Sequence, residues 1–107
     1  MADLAKKAKD YFEVAQYAES LGKFDVAATN YFKALAAIND YALFKKNLFP
    51  QDHSERFLLL KENEPFLYRI TSSLFLIYRR AYTQDISKEE VNSLKKSLQE
   101  AFRHAGL

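Results

Sequence analysis

Only two glycines and two prolines occur among the 107 residues of this chain, and that scarcity constrains its fold more than any other feature. A backbone reverses cheaply where glycine supplies a left-handed residue or where proline stops a helix. Such residues stand only at Gly22, Pro50, Pro65 and Gly106, and between them apolar side chains recur every three or four positions. The pattern is that of an all-α protein. A chain this long buries roughly two-thirds of its unfolded surface in one core, so residues 1–107 are read as a single helical domain with no linker or low-complexity stretch.

The first helix is expected over about residues 3–21, with Leu4, Ala8, Tyr11, Ala15 and Ala18 on one stripe, Phe12 beside it, and Gly22 as terminator. Asp25 falls in the first turn of a second helix, where a carboxylate favours the helix dipole. Its stripe is Ala27, Tyr31, Ala34, Leu35, Ile38 and Tyr41 or Ala42, and it should end near Asn47. So short a connection makes the two helices an antiparallel hairpin, and their alanines let the backbones approach closely. After a loop at Phe49-Pro50-Gln51-Asp52, either Asp52 or Ser54 can cap a short third helix. Its run Phe57-Leu58-Leu59-Leu60 implies burial on more than one side.

Pro65 opens the fourth helix, where its missing N–H costs nothing. Leu67, Ile70, Leu74, Ile77, Tyr78 and Ala81 form the stripe of that helix, widened by Phe66, Phe75 and Leu76. Ser87 and Glu90 stand at capping-box spacing. The fifth helix then turns Val91, Leu94, Leu98, Ala101 and Phe102 inward and frays at Ala105-Gly106. The expected architecture is a compact antiparallel bundle of four main helices plus one short helix, up-down in its first and last pairs.

Several chemistries are excluded by what is missing. Without cysteine there is no disulfide, thiolate nucleophile or thiolate metal site, which fits a reducing compartment. The segment Met1–Lys9 has no apolar stretch of signal-peptide length behind its lysines, and no apolar run approaches about 18 residues. A cytoplasmic protein with no membrane association is the expectation. The net charge of +2 is too small to imply nucleic acid by itself. Its distribution is more telling, since residues 1–53 balance seven lysines against seven acids, whereas all five arginines follow: Arg56, Arg69, Arg79, Arg80 and Arg103. Any anion site is expected in that second half.

The segment with most functional content is Tyr78-Arg79-Arg80-Ala81-Tyr82-Thr83-Gln84-Asp85, two cations and two tyrosines at the foot of an otherwise apolar helix. Further upstream, Gly22 to Leu35 matches the second-helix pattern of a tetratricopeptide repeat and resembles a microtubule-interacting and trafficking domain. The unit occurs once, however, and a repeat array needs about three. Over residues 3–104 the chain resembles the HEPN superfamily: an antiparallel pair with the glycine-aromatic-alanine run, a long helix ending in arginine, a short loop, and a capped last helix. Active members are ribonucleases that pair an arginine with a histidine four to six intervening residues later, across a dimer. Counting from Arg80 or from Arg79 lands on Asp85, and no histidine falls in the window. A carboxylate charged at neutral pH repels the phosphate that an imidazole could protonate. The resemblance therefore implies an anion contact at Arg79 or Arg80 without the acid-base group.

His53 reads as a loop-anchoring residue, and His104, in the last turn of the final helix, as a cation favoured by the helix dipole. Neither has zinc-ligand spacing, and no metal or cofactor is expected. Tyr11, Phe12, Tyr31, Phe57, Phe75, Tyr78 and Phe102 lie on core stripes, whereas Tyr17, Phe32 and Phe44 fall off theirs. Exposed aromatics mark protein interfaces more often than base-stacking platforms. Lys45 and Lys46 would join Arg79 and Arg80 if the second and fourth helices end at the same pole.

The expected function is that of a non-catalytic, HEPN-like homodimer binding RNA or a small nucleotidyltransferase through Arg79, Arg80, Tyr82, Asp85, Lys45 and Lys46. The alternative is a toxin-type ribonuclease, as in toxin-antitoxin pairs, in which Asp85 or a distant histidine takes the acid-base role.

Overall fold

In the computed structural model, which describes residues 3–107, the chain forms five helices: α1 (Leu4–Ser20), α2 (Phe24–Phe44), α3 (His53–Asn63), α4 (Pro65–Arg80) and α5 (Lys88–Ala105). Met1 and Ala2, the start of the segment read above for a signal peptide, lie outside the described residues. Among the described residues there is no strand, and no helix is long and apolar enough to cross a membrane.

The boundaries follow from local chemistry. The Asp3 carboxylate accepts from Lys6 N–H, Asp52 from Glu55 N–H, and the Ser87 hydroxyl from Glu90 N–H, while the Glu90 carboxylate accepts from Ser87 N–H to complete the capping box. Gly22 ends the α1 turn at φ +72° and Gly106 ends α5 at φ +79°, the left-handed region glycine enters without a Cβ penalty. Helix α2 stops three residues short of the expected Asn47. Asn47 itself takes φ +60°, and Leu48 N–H returns to Leu43 C=O, so the chain closes its own helix end there.

Helix α2 is the centre of the fold. Eleven of its residues are buried, including Ala27, Ala28, Tyr31, Ala34, Leu35, Ile38 and Leu43, and it packs against all four other helices. The α1 stripe meets it through Ala8, Ala15 and Ala18, each nearly or fully buried, which fits close backbone approach. Helix α5 supplies Val91, Leu94, Leu98 and Ala101 and packs chiefly on α2 rather than on its chain neighbour α4. The ends of the helices fix their directions. Glu90 at the start of α5 holds Arg80 at the end of α4, and His104 near the end of α5 reaches Glu64 at the start of α4. The last pair is therefore antiparallel.

Two apolar assignments are corrected. Phe32, expected off the α2 stripe, is buried and stacks on Tyr78 at 4.3 Å, because α4 covers a second face of α2. In α3 only Leu60 is fully buried and Leu58 is exposed; the helix lies on the outside, covered from one side. Tyr17 is exposed as expected, Tyr82 is exposed as well, and Phe44 is half-buried against Phe49 at 4.8 Å. Of the seven aromatics assigned to the core only Tyr31 is fully buried; Tyr11, Phe12, Phe75, Tyr78 and Phe102 pack on its margin, and Phe57 packs edge-on against Tyr68 and Phe75 outside it.

A polar tie holds the α4–α5 connection to the core. Asp25 Oδ1 accepts from Ile86 N–H at 2.8 Å, and Ile86 is buried. Two changes test this picture by urea unfolding. Ser87→Ala, which removes the cap of α5, is expected to cost about 1 kcal/mol. Ala15→Leu, which forces a larger side chain into the α1–α2 seam, is expected to cost about 1–3 kcal/mol.

Candidate functional site

The antiparallel course of α2 and α4 decides which predicted residues share a surface. Arg79 and Arg80 lie at the end of α4, beside the start of α2, because Asp25 of α2 binds Ile86 just beyond them. Lys45 and Lys46 follow the end of α2, where Lys46 pairs with Glu64 at 2.7 Å and Lys45 lies over the Tyr41 ring at 5.1 Å. Helix α4 is 16 residues long, so the lysine pair is displaced by about 24 Å at 1.5 Å per residue. The two lysines do not join the arginine site. The two helices end at opposite poles.

The adjacent arginines also diverge, since neighbouring positions on a helix do not face the same way. Arg80 donates through Nη1 and Nη2 to both Glu90 oxygens, at 2.7 and 3.3 Å, and through Nε to Gln84 at 3.4 Å. Its hydrogen bond to Glu90 and the attached charge raise its pKa above the ordinary arginine value. Arg79 has no ion pair among the described residues, and its guanidinium stands 5.9 Å from the Phe75 ring. Tyr82, 65% exposed, shares a 2.6 Å hydrogen bond with the Tyr78 hydroxyl. Asp85 is exposed and turns away to a depression of about 430 Å³ that it lines with Lys23, Asp25 and Ile86.

Beneath Tyr78 lies a feature the sequence reading missed. A cavity of about 240 Å³ between α2, α3 and α4 is lined by Phe32, Asn39, His53, Phe57, Thr71 and Phe75 along with Ala36, Arg56 and Tyr78. Arg56 is clamped on Asp40 by Nε at 2.6 Å and Nη2 at 2.9 Å, and it donates through Nη1 to His53 Nδ1 at 3.0 Å. Arginine only donates, so His53 Nδ1 is the acceptor and its proton sits on Nε2. Among the described residues, Asn39 and Thr71 are the buried polar side chains. Each carried a signal, for Asn39 stands four residues after Leu35 and Thr71 four after Leu67, both inside apolar stripes.

Among the described residues no histidine bonds to Arg80, whose partners are Gln84 and Glu90. His104 is at the far pole, stacked on Phe66 at 4.6 Å and 3.2 Å from Glu64. His53 lies nearer, on the cavity, held by Arg56. Among the described residues no three histidine, aspartate or glutamate side chains gather as metal ligands would. What the end of α4 offers is one unpaired guanidinium, one exposed phenol and an apolar hollow below them. In comparisons with known proteins, no family model, no curated protein and no solved structure matches the chain.

The tyrosine pair gives the site a pH signature. The hydrogen bond to Tyr82, with burial second, pushes the Tyr78 phenol up to about 12. Burial, with a 2.7 Å bond to Glu19 second, pushes Tyr31 up as well. Phenols raised above their unfolded value near 10 contribute stability that is complete below about pH 10 and is lost as pH climbs through the folded value. Ultraviolet titration should show two late tyrosines, and Tyr82→Phe should bring only Tyr78 back toward its ordinary range. Glu90 behaves oppositely. The Arg80 guanidinium, then Ser87 N–H, hold its carboxyl below the usual value, so its contribution is present above about pH 4 and lost on acidification. Glu90→Gln should lower Tm at neutral pH, with the gap closing below about pH 4.

Proposed function

We propose that this chain is a non-catalytic, HEPN-like binding domain, built as a bundle of four main helices plus one short one, that acts as a homodimer and holds RNA along the outer face of α4. The observation that carries the reading is the charge of that helix. From Pro65 to Arg80 it contains three arginines and no carboxylate, and Arg69 and Arg79 are exposed with no ion pair among the described residues. Unpaired guanidiniums on one helix suit a phosphate backbone, and an exposed phenol at the helix end suits a base face. Arg80 is given a structural role instead, because Glu90 already occupies its fork.

The dimer reading rests on apolar side chains left outside the core. Leu58 and Leu76 are exposed, each beside a member of the Phe57–Phe75 ring contact at 5.7 Å. Exposed leucines on the adjoining helices α3 and α4 support a second protein surface where they join into one apolar patch. The absence of a histidine from the window after Arg79 and Arg80 supports binding over cleavage.

Fluorescence anisotropy with single-stranded and structured RNA tests the proposal. Arg79→Ala is expected to weaken binding several-fold and to reduce the salt slope by about 0.7, whereas Arg80→Ala is expected to lower Tm with little change in affinity. Leu76→Asp should shift the sedimentation of the protein toward monomer. Cleavage of the RNA that disappears in His53→Ala would replace this reading with the ribonuclease. RNA that stays intact and unbound, with a nucleotidyltransferase retained through Arg79, would replace it with a protein-binding domain.

A further inference from the structure

The outer faces of α3 and α4 carry opposite charges beside their exposed leucines. On α3, Leu58 is 54% exposed and points away from the core, because the two positions between it and the buried Leu60 turn a helix by about 200°. Lys61 and Glu62 follow three and four residues on, both exposed, and each is a neighbour of Leu58 on the helix surface. They take opposite flanks. Lys61 stands four residues after Phe57 and shares its side, which meets Tyr68 and Phe75 of the chain's own α4. The flank turned away from that helix belongs to Glu62, which has no ion pair among the described residues.

Helix α4 offers the complement. Arg69, Ser72, Ser73 and Leu76 are all exposed and stand at i, i+3, i+4 and i+7, the four corners of a hole into which a side chain of a facing helix inserts. The two middle corners are small. Ser73 already donates its hydroxyl proton to Arg69 C=O at 2.8 Å, so covering it leaves no donor unmade. Leu76 supplies an apolar end to the hole, and Arg69 supplies a guanidinium with no ion pair among the described residues.

We propose that this hole receives Leu58 from a second copy of the chain, and that Glu62 of each copy pairs with Arg69 of the other. The inference rests on the dimer reading of the chain and assigns its contacts. A two-fold axis between α3 and α4 sets α3 of each copy on α4 of the other, so a single pair of complementary surfaces is used twice. Charge selects the occupant. A second α4 would bring arginine against Arg69, and a wholly apolar helix would cover its guanidinium unpaired. Helix α3 supplies the apolar knob and, one turn further on, the carboxylate, whose pairing with arginine fixes the register of the contact. Arg79 and Tyr82 lie beyond the hole at the end of α4 and are left to RNA.

Charge reversal read by sedimentation of the whole chain tests the exchange. Glu62→Arg and Arg69→Glu alter exposed side chains, and each variant is expected to keep its helical circular dichroism. Each alone sets like charges together twice per dimer and is expected to weaken the dimer roughly a hundredfold. Mixed in equal amounts, the two are expected to form a heterodimer of near-native affinity, because both of its contacts then pair a carboxylate with an arginine. A Glu62–Arg69 contact within one chain predicts no rescue on mixing. Variants that dimerise as tightly as the native chain, or that stay monomeric when mixed, would overturn the pairing while leaving the dimer in place. A native chain that sediments only as monomer would overturn the dimer reading, and this interface with it.

Discussion

Helix α2 has to be apolar on nearly every face, and the arrangement of the other four helices follows from that requirement. A helix surrounded by protein can leave no charged side unpaired. Its alanines at 27, 28, 34, 37 and 42 lower the height of its surface, and larger residues between them, Tyr31, Leu35, Ile38 and Leu43, fill the gaps. Four of the polar side chains it carries tie it to the rest of the fold. Tyr31 reaches Glu19 of α1, Asn39 reaches Thr71 of α4, Asp40 holds Arg56 of α3, and Asp25 holds the backbone before α5. Each neighbouring helix except α5 is thus bound to α2 by a specific hydrogen bond as well as by packing, and the approach to α5 is fixed by the bond to Ile86. Buried polar groups that are satisfied specify one arrangement over its competitors.

The same organisation explains how a site forms at the end of α4. Packing on α2 turns Leu67, Thr71 and Leu74 inward and so turns Arg69, Leu76 and Arg79 outward. Glu90 engages the Arg80 fork, which stays partly exposed, because the capping box of α5 places that carboxylate at the end of α4. One carboxylate thereby serves two ends, satisfying an orphan N–H of α5 and neutralising a cation at the C-terminus of α4. Two arginines adjacent in sequence acquire different duties through this contact. The cavity arises from the same geometry, since α3 lies across α2 and α4 on their outer side and its aromatic edge does not fill the space above Asn39.

The helices and most of their ends were legible residue by residue. Gly22, Pro65, Asp52 and the Ser87–Glu90 pair act through local backbone chemistry, which depends on near neighbours alone. The stripes of α1 and α5 were equally legible, because each faces the core from one side and shows a clean helical period. Phe32 and Leu58 were misread for one reason. Periodicity counts a single buried face, whereas α2 is covered from several directions and α3 from one. At the site, Arg79 and Tyr82 are exposed as the sequence implied, but Lys45 and Lys46 are not with them. That error came from polarity, since a loop that doubles back before α3 sets the direction of α4 and leaves no periodic trace.

By itself, then, the sequence determined that the chain is helical, where most of its helices begin and end, and that no histidine stands in the turn after the adjacent arginines. These are properties of short spans, governed by capping, propensity and spacing. Only the tertiary structure decided which helices meet, which arginine is free, and that Asn39 and Thr71 lie together under an aromatic-walled cavity. Those are relations between residues 10 to 61 positions apart, and they are set by how helix surfaces of different height fit around α2.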